Sequence, residues 1–415
     1  MTLAAAGLLS CTGTGQSAFD PASVADASGE VTRVEPLSWW TGMQTPLQLL
    51  VNGAGIAAYD VRIEGGQGVG VKARHKADSP NYLFVDVEVK PDAEPGTYYL
   101  VFSQGERQFK VPYEIAARAE GSAARRSFTT ADMIYLLMPD RFANGDASND
   151  STPHTRERAD RSAFFGRHGG DLQGMIDHLD YIAGLGATAV WPTPLLLDDE
   201  PEGSYHGYAC GDYYRIDPRF GSNELYREFV GKAHEHGLKV IMDIVTNHCG
   251  TGHWWMKDLP FRDWIHQFPE YTGTNVCFST NMDPNASRYD LDLQESGWFV
   301  PSMPDMNLDN PYVLQYFKQW AVWWIEYAGL DGFRVDTYPY NEKVPMSARP
   351  YAGNTPISTS WANAGRRRSR NWHTGRAAIP TRTASTRTCR RSWISRCRRP
   401  SAGRCPPTRS AGARA

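Results

Sequence analysis

Two rhythms of apolar and polar residues divide the chain. Between about residues 31 and 115 the two kinds alternate. Val85, Val87 and Val89 face one way and Asp86, Glu88 and Lys90 the other, the period of a half-buried strand. Pro95-Gly96 turns the chain into the apolar run 97–102. With strand-like runs at 47–51 and 59–63, this stretch predicts a small β-sandwich over 31–117. After an Ala/Arg/Gly-rich linker the rhythm changes. Residues 133–138, an apolar run, 186–191 and 238–244 read as strands, and a fourth, 330–337, reads as a short buried strand on Phe333 and Val335. Residues 172–185 (Met175, Ile176, Leu179, Ile182), 224–236 and 311–328 have helical spacing, the second closed by Gly237. Strands alternating with helices, with long insertions after the strands, predict an α/β region: the first half of a (β/α)8 TIM barrel over 128–343.

Composition adds little until it is divided. The formal charge of −3 conceals two unlike segments. Residues 343–415 hold 16 Arg, one Lys and no Asp or Glu, while residues 1–342 hold 26 basic and 46 acidic side chains. The long segment has the balance of an acidic soluble enzyme, and the tail needs an explanation of its own. Aromatic residues make up 12 %, which suits either sugar stacking or a Trp-rich core. Cys210, Cys249 and Cys277 have no metal-ligand spacing. Cys11 differs: it follows the apolar run 3–9, and Leu8-Leu9-Ser10-Cys11 resembles a bacterial lipoprotein cleavage box. Residues 1–30 are therefore expected to be signal and tether. The protein is expected to be exported, periplasmic or membrane-anchored through lipid on Cys11. No later run is apolar and long enough to cross a bilayer.

Each expected barrel strand ends in polar groups. Pro139-Asp140-Arg141 follows the first, Tyr205-His206-Gly207-Tyr208 lies beyond the second, Asp243 to His248 end the third, and Arg334 and Asp336 end the fourth. Active sites of β/α barrels sit at these C-terminal ends. A carboxylate beside a guanidinium stays ionised and suits a nucleophile or a charge stabiliser, although an ordinary buried ion pair has the same sequence. A polar strand end is common; several in one register favour a catalytic rim.

Asp243–His248 and Gly332–Asp336 resemble two signature regions of glycoside hydrolase family 13, the α-amylase family, and Tyr205-His206-Gly207-Tyr208 followed by Asp212 to Asp217 is similar to a third stretch. The sandwich resembles the amino-terminal domain of cyclomaltodextrinases and neopullulanases. The resemblance implies a retaining hydrolase of α-1,4-glucosidic bonds in maltodextrin, cyclodextrin, pullulan or starch. It makes Asp336 the nucleophile and Arg334 its partner, and assigns substrate contacts to His206, Tyr208, Asp243 and His248. It also implies Ca²⁺ on Asn144, Asp146, Asn149, Asp150, Asp171 and the carbonyl of Gly169, in an oxygen-rich loop that could otherwise be a plain polar turn. It allows a homodimer through the amino-terminal domain.

The resemblance stops near Glu342. The family's general acid is a Glu in a stretch like Ile-Val-Gly-Glu-Cys-Trp, and no Asp or Glu follows Glu342. One coding of that stretch, entered one nucleotide late, reads Ser-Trp-Ala-Asn-Ala, which stands here as Ser360 to Ala364. A reading-frame slip near Ser347 therefore explains 344–415 as a non-native basic tail. The chain is then expected to be inactive and poorly folded beyond its sandwich. The alternatives are a non-catalytic glucan-binding lipoprotein and a functional basic tail with Arg366-Arg367-Arg368 between Trp361 and Trp372. Nucleic acid is not expected as a partner.

Overall fold

The computed structural model describes residues 31–277, 279–280 and 283–342, together with the backbone of a strand at 360–362. The expectations placed on Cys11, on the tether and on the rest of the basic tail fall outside these residues.

The amino-terminal part is a two-sheet sandwich. Its strands are β1 (Arg33–Glu35), β2 (Trp39–Trp40), β3 (Leu47–Asn52), β4 (Asp60–Glu64), β5 (Val69–Lys76), β6 (Tyr82–Val89), β7 (Gly96–Gln104) and β8 (Arg107–Ala116). The sheet orders are β1-β3-β6-β5 and β2-β8-β7-β4. Val85 and Val87 point into the core as their alternation requires, and Val111, Tyr113 and Ile115 of β8 do the same from the facing sheet. Strands β7 and β8 form a hairpin closed by Gly105-Glu106, with Gly105 at φ 59°, the backbone region such tight turns need.

The second part supplies β9 (Ile134–Leu137), α1 (Pro139–Phe142), α2 (Leu172–Ile176), α3 (Leu179–Gly184), β10 (Ala189–Pro192), β11 (Leu196–Leu197), β12 (Asp212–Ile216), α4 (Asn223–Glu235), β13 (Lys239–Val245), α5 (Arg288–Ser296), α6 (Pro311–Ala328), β14 (Gly332–Asp336) and β15 (Ser360–Ala362). The main sheet runs β9-β10-β13-β14-β15, every pair parallel.

Three expectations change. The helix expected over 172–185 is two short ones, because the chain turns at Asp177-His178, where the His178 ring meets the Gly174 carbonyl at 2.8 Å. Met175, Leu179 and Ile182 stay buried across the break, so the apolar spacing survives. The sheet also has a fifth strand where four were expected: Ser360–Ala362 pairs in register with Phe333–Val335 of β14. Finally, the part expected to fold poorly shares one packed core with the sandwich.

Helix α6 joins the two parts. Asn310 caps it by accepting from Tyr312 N and Val313 N, Pro311 occupies its first turn, and Gly329 at φ 84° ends it. Trp320 and Trp324 donate to the Tyr213 carbonyl at 2.5 and 3.0 Å. The adjoining face meets the sandwich, where Trp323 donates to Ser38 Oγ at 3.2 Å, Tyr316 donates to Glu35 at 2.9 Å and the Gln319 amide pairs with the Gln48 backbone. Beside this seam Arg33 lies 2.7 Å from Glu35 and 2.5 Å from Asp212.

Candidate active site

The register of two parallel strands sets the site. Asp243 on β13 and Arg334 on β14 are direct neighbours. Asp336, two residues on, shares Arg334's side of the sheet. The guanidinium therefore lies between two carboxylates. Its Nη1 is 2.8 and 2.9 Å from the Asp243 oxygens, and its Nη2 is 2.7 Å from Asp336 Oδ1. Burial alone would lower the Arg334 pKa, but Asp243 and Asp336 outweigh it and raise it. Asp243 also accepts from Trp191 Nε1 at 2.9 Å and from the Tyr208 hydroxyl at 3.2 Å. Burial pushes Asp243 up to about 7, with Arg334 opposing. The Trp191 ring lies 5.0 Å and the Tyr208 ring 5.7 Å from the Arg334 guanidinium carbon. Arg334 and Asp243 are almost wholly buried, whereas the Asp336 side chain keeps 13 % of its surface exposed.

The loop Tyr205 to Tyr208 reaches this cluster through a tight approach. Gly207 sits at φ 77°, and a Cβ there would lie 2.1 Å from the Pro194 carbonyl oxygen. His206 Nδ1 accepts from Tyr208 N at 2.9 Å, which puts the ring proton on Nε2. Burial lowers the His206 pKa and raises that of Tyr208. His248, stacked on Phe299 at 5.1 Å, is pushed down to about 3 by burial, against a smaller influence from the Tyr208 backbone. Both imidazoles are therefore neutral at neutral pH. All six residues expected at the rim converge on one place. The arrangement offers a partly accessible carboxylate fixed by a guanidinium and flanked by neutral hydrogen-bonding rings.

Several contributors have no clear mark in the sequence. Trp191 reads there only as a strand end. Thr337, directly after Asp336, holds φ 45°, the single positive φ among described non-glycine residues. His266, Asp305 and Glu342 form a second cluster whose polar atoms lie within 4.8 Å of one another. His266 Nδ1 is 2.8 Å from Asp305, and burial pushes Glu342 up to about 8. No local spacing signals this cluster, because its members come from three distant segments.

The oxygen-rich loop forms a separate group. Asn144 Nδ2 donates to Asp150 at 2.6 Å, and a Cβ on Gly169 (φ 85°) would strike that carboxylate at 2.4 Å. Asp171 accepts from Gly145 N at 3.0 Å, Gly174 N at 2.7 Å, Asp146 N at 2.8 Å and Asn149 Nδ2 at 3.3 Å. It caps α2 and braces the loop with both oxygens. Asn149 Oδ1 is buried without a hydrogen-bond partner.

A family profile described as the α-amylase catalytic domain matches residues 136–384. The chain belongs to the α-amylase family. A profile of the cyclomaltodextrinase amino-terminal domain matches residues 33–119. A cyclomaltodextrinase of Thermoanaerobacter pseudethanolicus is 36 % identical over 220 residues, covering 50 % of this chain and 34 % of the relative. Neopullulanase 2 of Thermoactinomyces vulgaris is 36 % identical over 225 residues, covering 50 % and 35 %. The crystal structure of an Anoxybacillus α-amylase is 35 % identical, with a TM-score of 0.44 over 52 % of this chain and 43 % of that one. The matched region spans about a third of the length of these curated α-amylase-family relatives.

Proposed function

We propose that this chain carries the nucleophile side of a retaining α-glucan hydrolase site. The observation that supports it is Arg334 clamped between buried Asp243 and partly exposed Asp336 at the ends of β13 and β14. In such a reaction the Asp336 carboxylate attacks the anomeric carbon. A glycosyl ester forms as the bond to the leaving oxygen breaks, and a carboxylic acid about 5 Å away protonates that oxygen. Arg334 keeps Asp336 ionised and aimed. Tyr208, His206 and His248 supply a ring face and hydrogen bonds to sugar hydroxyls.

The absence of Asp and Glu after Glu342 favours binding without turnover for this chain, with the general acid lost through the frame slip near Ser347. Calorimetry with maltoheptaose, alongside an assay for reducing sugar, tests the reading. We expect saturable binding and no sugar release from the purified 415-residue chain. Steady release of sugar would overturn the loss of turnover, and a folded chain that binds no α-glucan would overturn the site.

The loop of Asn144, Asp146, Asn149, Asp150 and the Gly169 carbonyl fits Ca²⁺. Its donors are hard oxygens, the buried Asn149 Oδ1 lacks a partner, and Gly169 leaves room where a side chain would intrude. Asp171, expected as a ligand, serves in this reading as the brace. Bound Ca²⁺ would tie the loop to α2. Chelation with EDTA is expected to lower the thermal midpoint by several degrees, about 4 °C or more, and added Ca²⁺ to restore it; Mg²⁺ restoring it equally would argue against the site.

A further inference from the structure

Phe164 and Phe165 are the most exposed large apolar pair described, at 81 % and 67 %, and their rings meet edge to face at 4.8 Å. They are held out by a stiff loop. Asp160 N donates to Arg167 O, Ala163 N to Asp160 O and Gly166 N to Ala163 O. Asp160 also accepts from Ser162 N and Oγ at 2.9 and 2.6 Å, and Arg161 Nε donates to His168 O at 2.7 Å. Gly166 is required there, since a Cβ would lie 2.7 Å from Asp160 O. His168 N donates to the buried Asp140 carboxylate, which anchors the loop to the first strand end.

The loop also touches the candidate site. Arg141 Nη2 donates to the Phe164 carbonyl at 3.1 Å, and its guanidinium carbon sits 4.1 Å from the Tyr205 ring centroid. Tyr205 in turn meets His206, which meets Tyr208, each at 5.7 Å between centroids. One guanidinium therefore separates the exposed aromatic pair from the sugar-facing loop. A rigid loop that presents two apolar rings to water has already met the ordering cost of binding.

We propose that Phe164 and Phe165 form an outer platform for the glucosyl units of an α-glucan whose other end lies beside Asp336. The proposal rests on the functional reading above. The apolar C–H faces of the sugar rings stack on aromatic faces, and two rings at right angles suit a chain that curves between successive units. The platform discriminates by length: a short oligosaccharide fills the inner site alone, and a longer one reaches both.

Calorimetry on the full chain with maltotriose and maltoheptaose tests this. Phe164→Ala/Phe165→Ala is expected to weaken maltoheptaose about tenfold and to leave maltotriose within about twofold. Phe164→Tyr/Phe165→Tyr is expected to keep wild-type affinity for both. Equal weakening for both lengths, or no change for either, overturns the platform. So does a wild-type dimer that the alanine variant dissociates without affecting sugar binding. A wild-type chain that binds neither sugar overturns the functional reading itself, a result distinct from any variant effect. Ring shifts of ¹³C-labelled Phe164 and Phe165 in the wild-type chain test the platform without relying on a variant that folds. They are expected with maltoheptaose and not with maltotriose, and their absence with both sugars overturns it.

Discussion

Arg33 and Arg334 each lie between two carboxylates, and they are built inside out from one another. At the seam beside α6, Arg33 is the outer member: its side chain keeps 31 % exposure, while Glu35 and Asp212 keep 0 % and 3 %. At the end of β14 the cation is the inner member, 4 % exposed, and Asp336 turns outward. The seam cluster turns its guanidinium outward and fastens the sandwich to the barrel strands. The other presents a carboxylate and fixes it from behind. An Arg between two acids is thus no signature by itself; the two clusters differ in which member faces out.

The largest expected effects come from removing either cation. Arg334→Met leaves Asp243 buried without its cation and is expected to cost about 3–5 kcal/mol in urea unfolding. Arg33→Met strands Glu35 and Asp212, both deeply buried, and is expected to cost at least as much. A loss at Arg33 well below that at Arg334 would show that the seam carboxylates do not need their cation.

The next effect is a response to acid shared by both regions. His253, beside Asp212, and His248, at the candidate site, are both pushed down to about 3 by burial, from an ordinary 6.5. The folded state binds fewer protons than the unfolded chain. The stability they support is present above about pH 6.5 and is lost as pH falls toward 3. Glu342 works in the opposite direction. Raised from 4.5 to about 8, its contribution is complete below about 4.5 and is lost as pH rises through 8. Urea midpoints measured from about pH 3 to 9 should fall on both sides; a midpoint flat from about 6.5 down to 4 would contradict the histidine assignment.

The smallest effect sharpens the contrast most. Asp336→Asn, at an open strand end, is expected to change stability by less than about 1 kcal/mol, while Asp212→Asn costs more. If the two variants unfold alike, Asp336 is a fastener too.

Much of this is legible in the sequence because strand and helix periods expose what they bury. Asp243 lies near the end of the third barrel strand and Asp336 ends the fourth, as their apolar runs imply, and α6 spans the residues that its spacing predicts. Strand β5 is hard to read because it is a half-exposed edge, with Lys72, Arg74 and Lys76 alternating with Val71, Ala73 and His75. Strand β15 has no apolar period, so its pairing with β14 comes from the sheet rather than from its own residues. The tie from Trp191 to Asp243 spans 52 positions, and the seam from Arg33 to Asp212 spans 179. Contacts of that range leave no local pattern, so the rim can be named from the sequence while its supports cannot.

Thr337 sets the height of that rim. Strands β13 and β14 run level to the pair Val245 and Asp336, and the next residue on β14 takes the left-handed turn at φ 45°. Continued as a strand, the chain would place another side chain above the carboxylate two positions later. The turn removes that roof. A single backbone angle, adopted by a β-branched residue that resists it, thus fixes where the strand stops and leaves Asp336 as its last side chain.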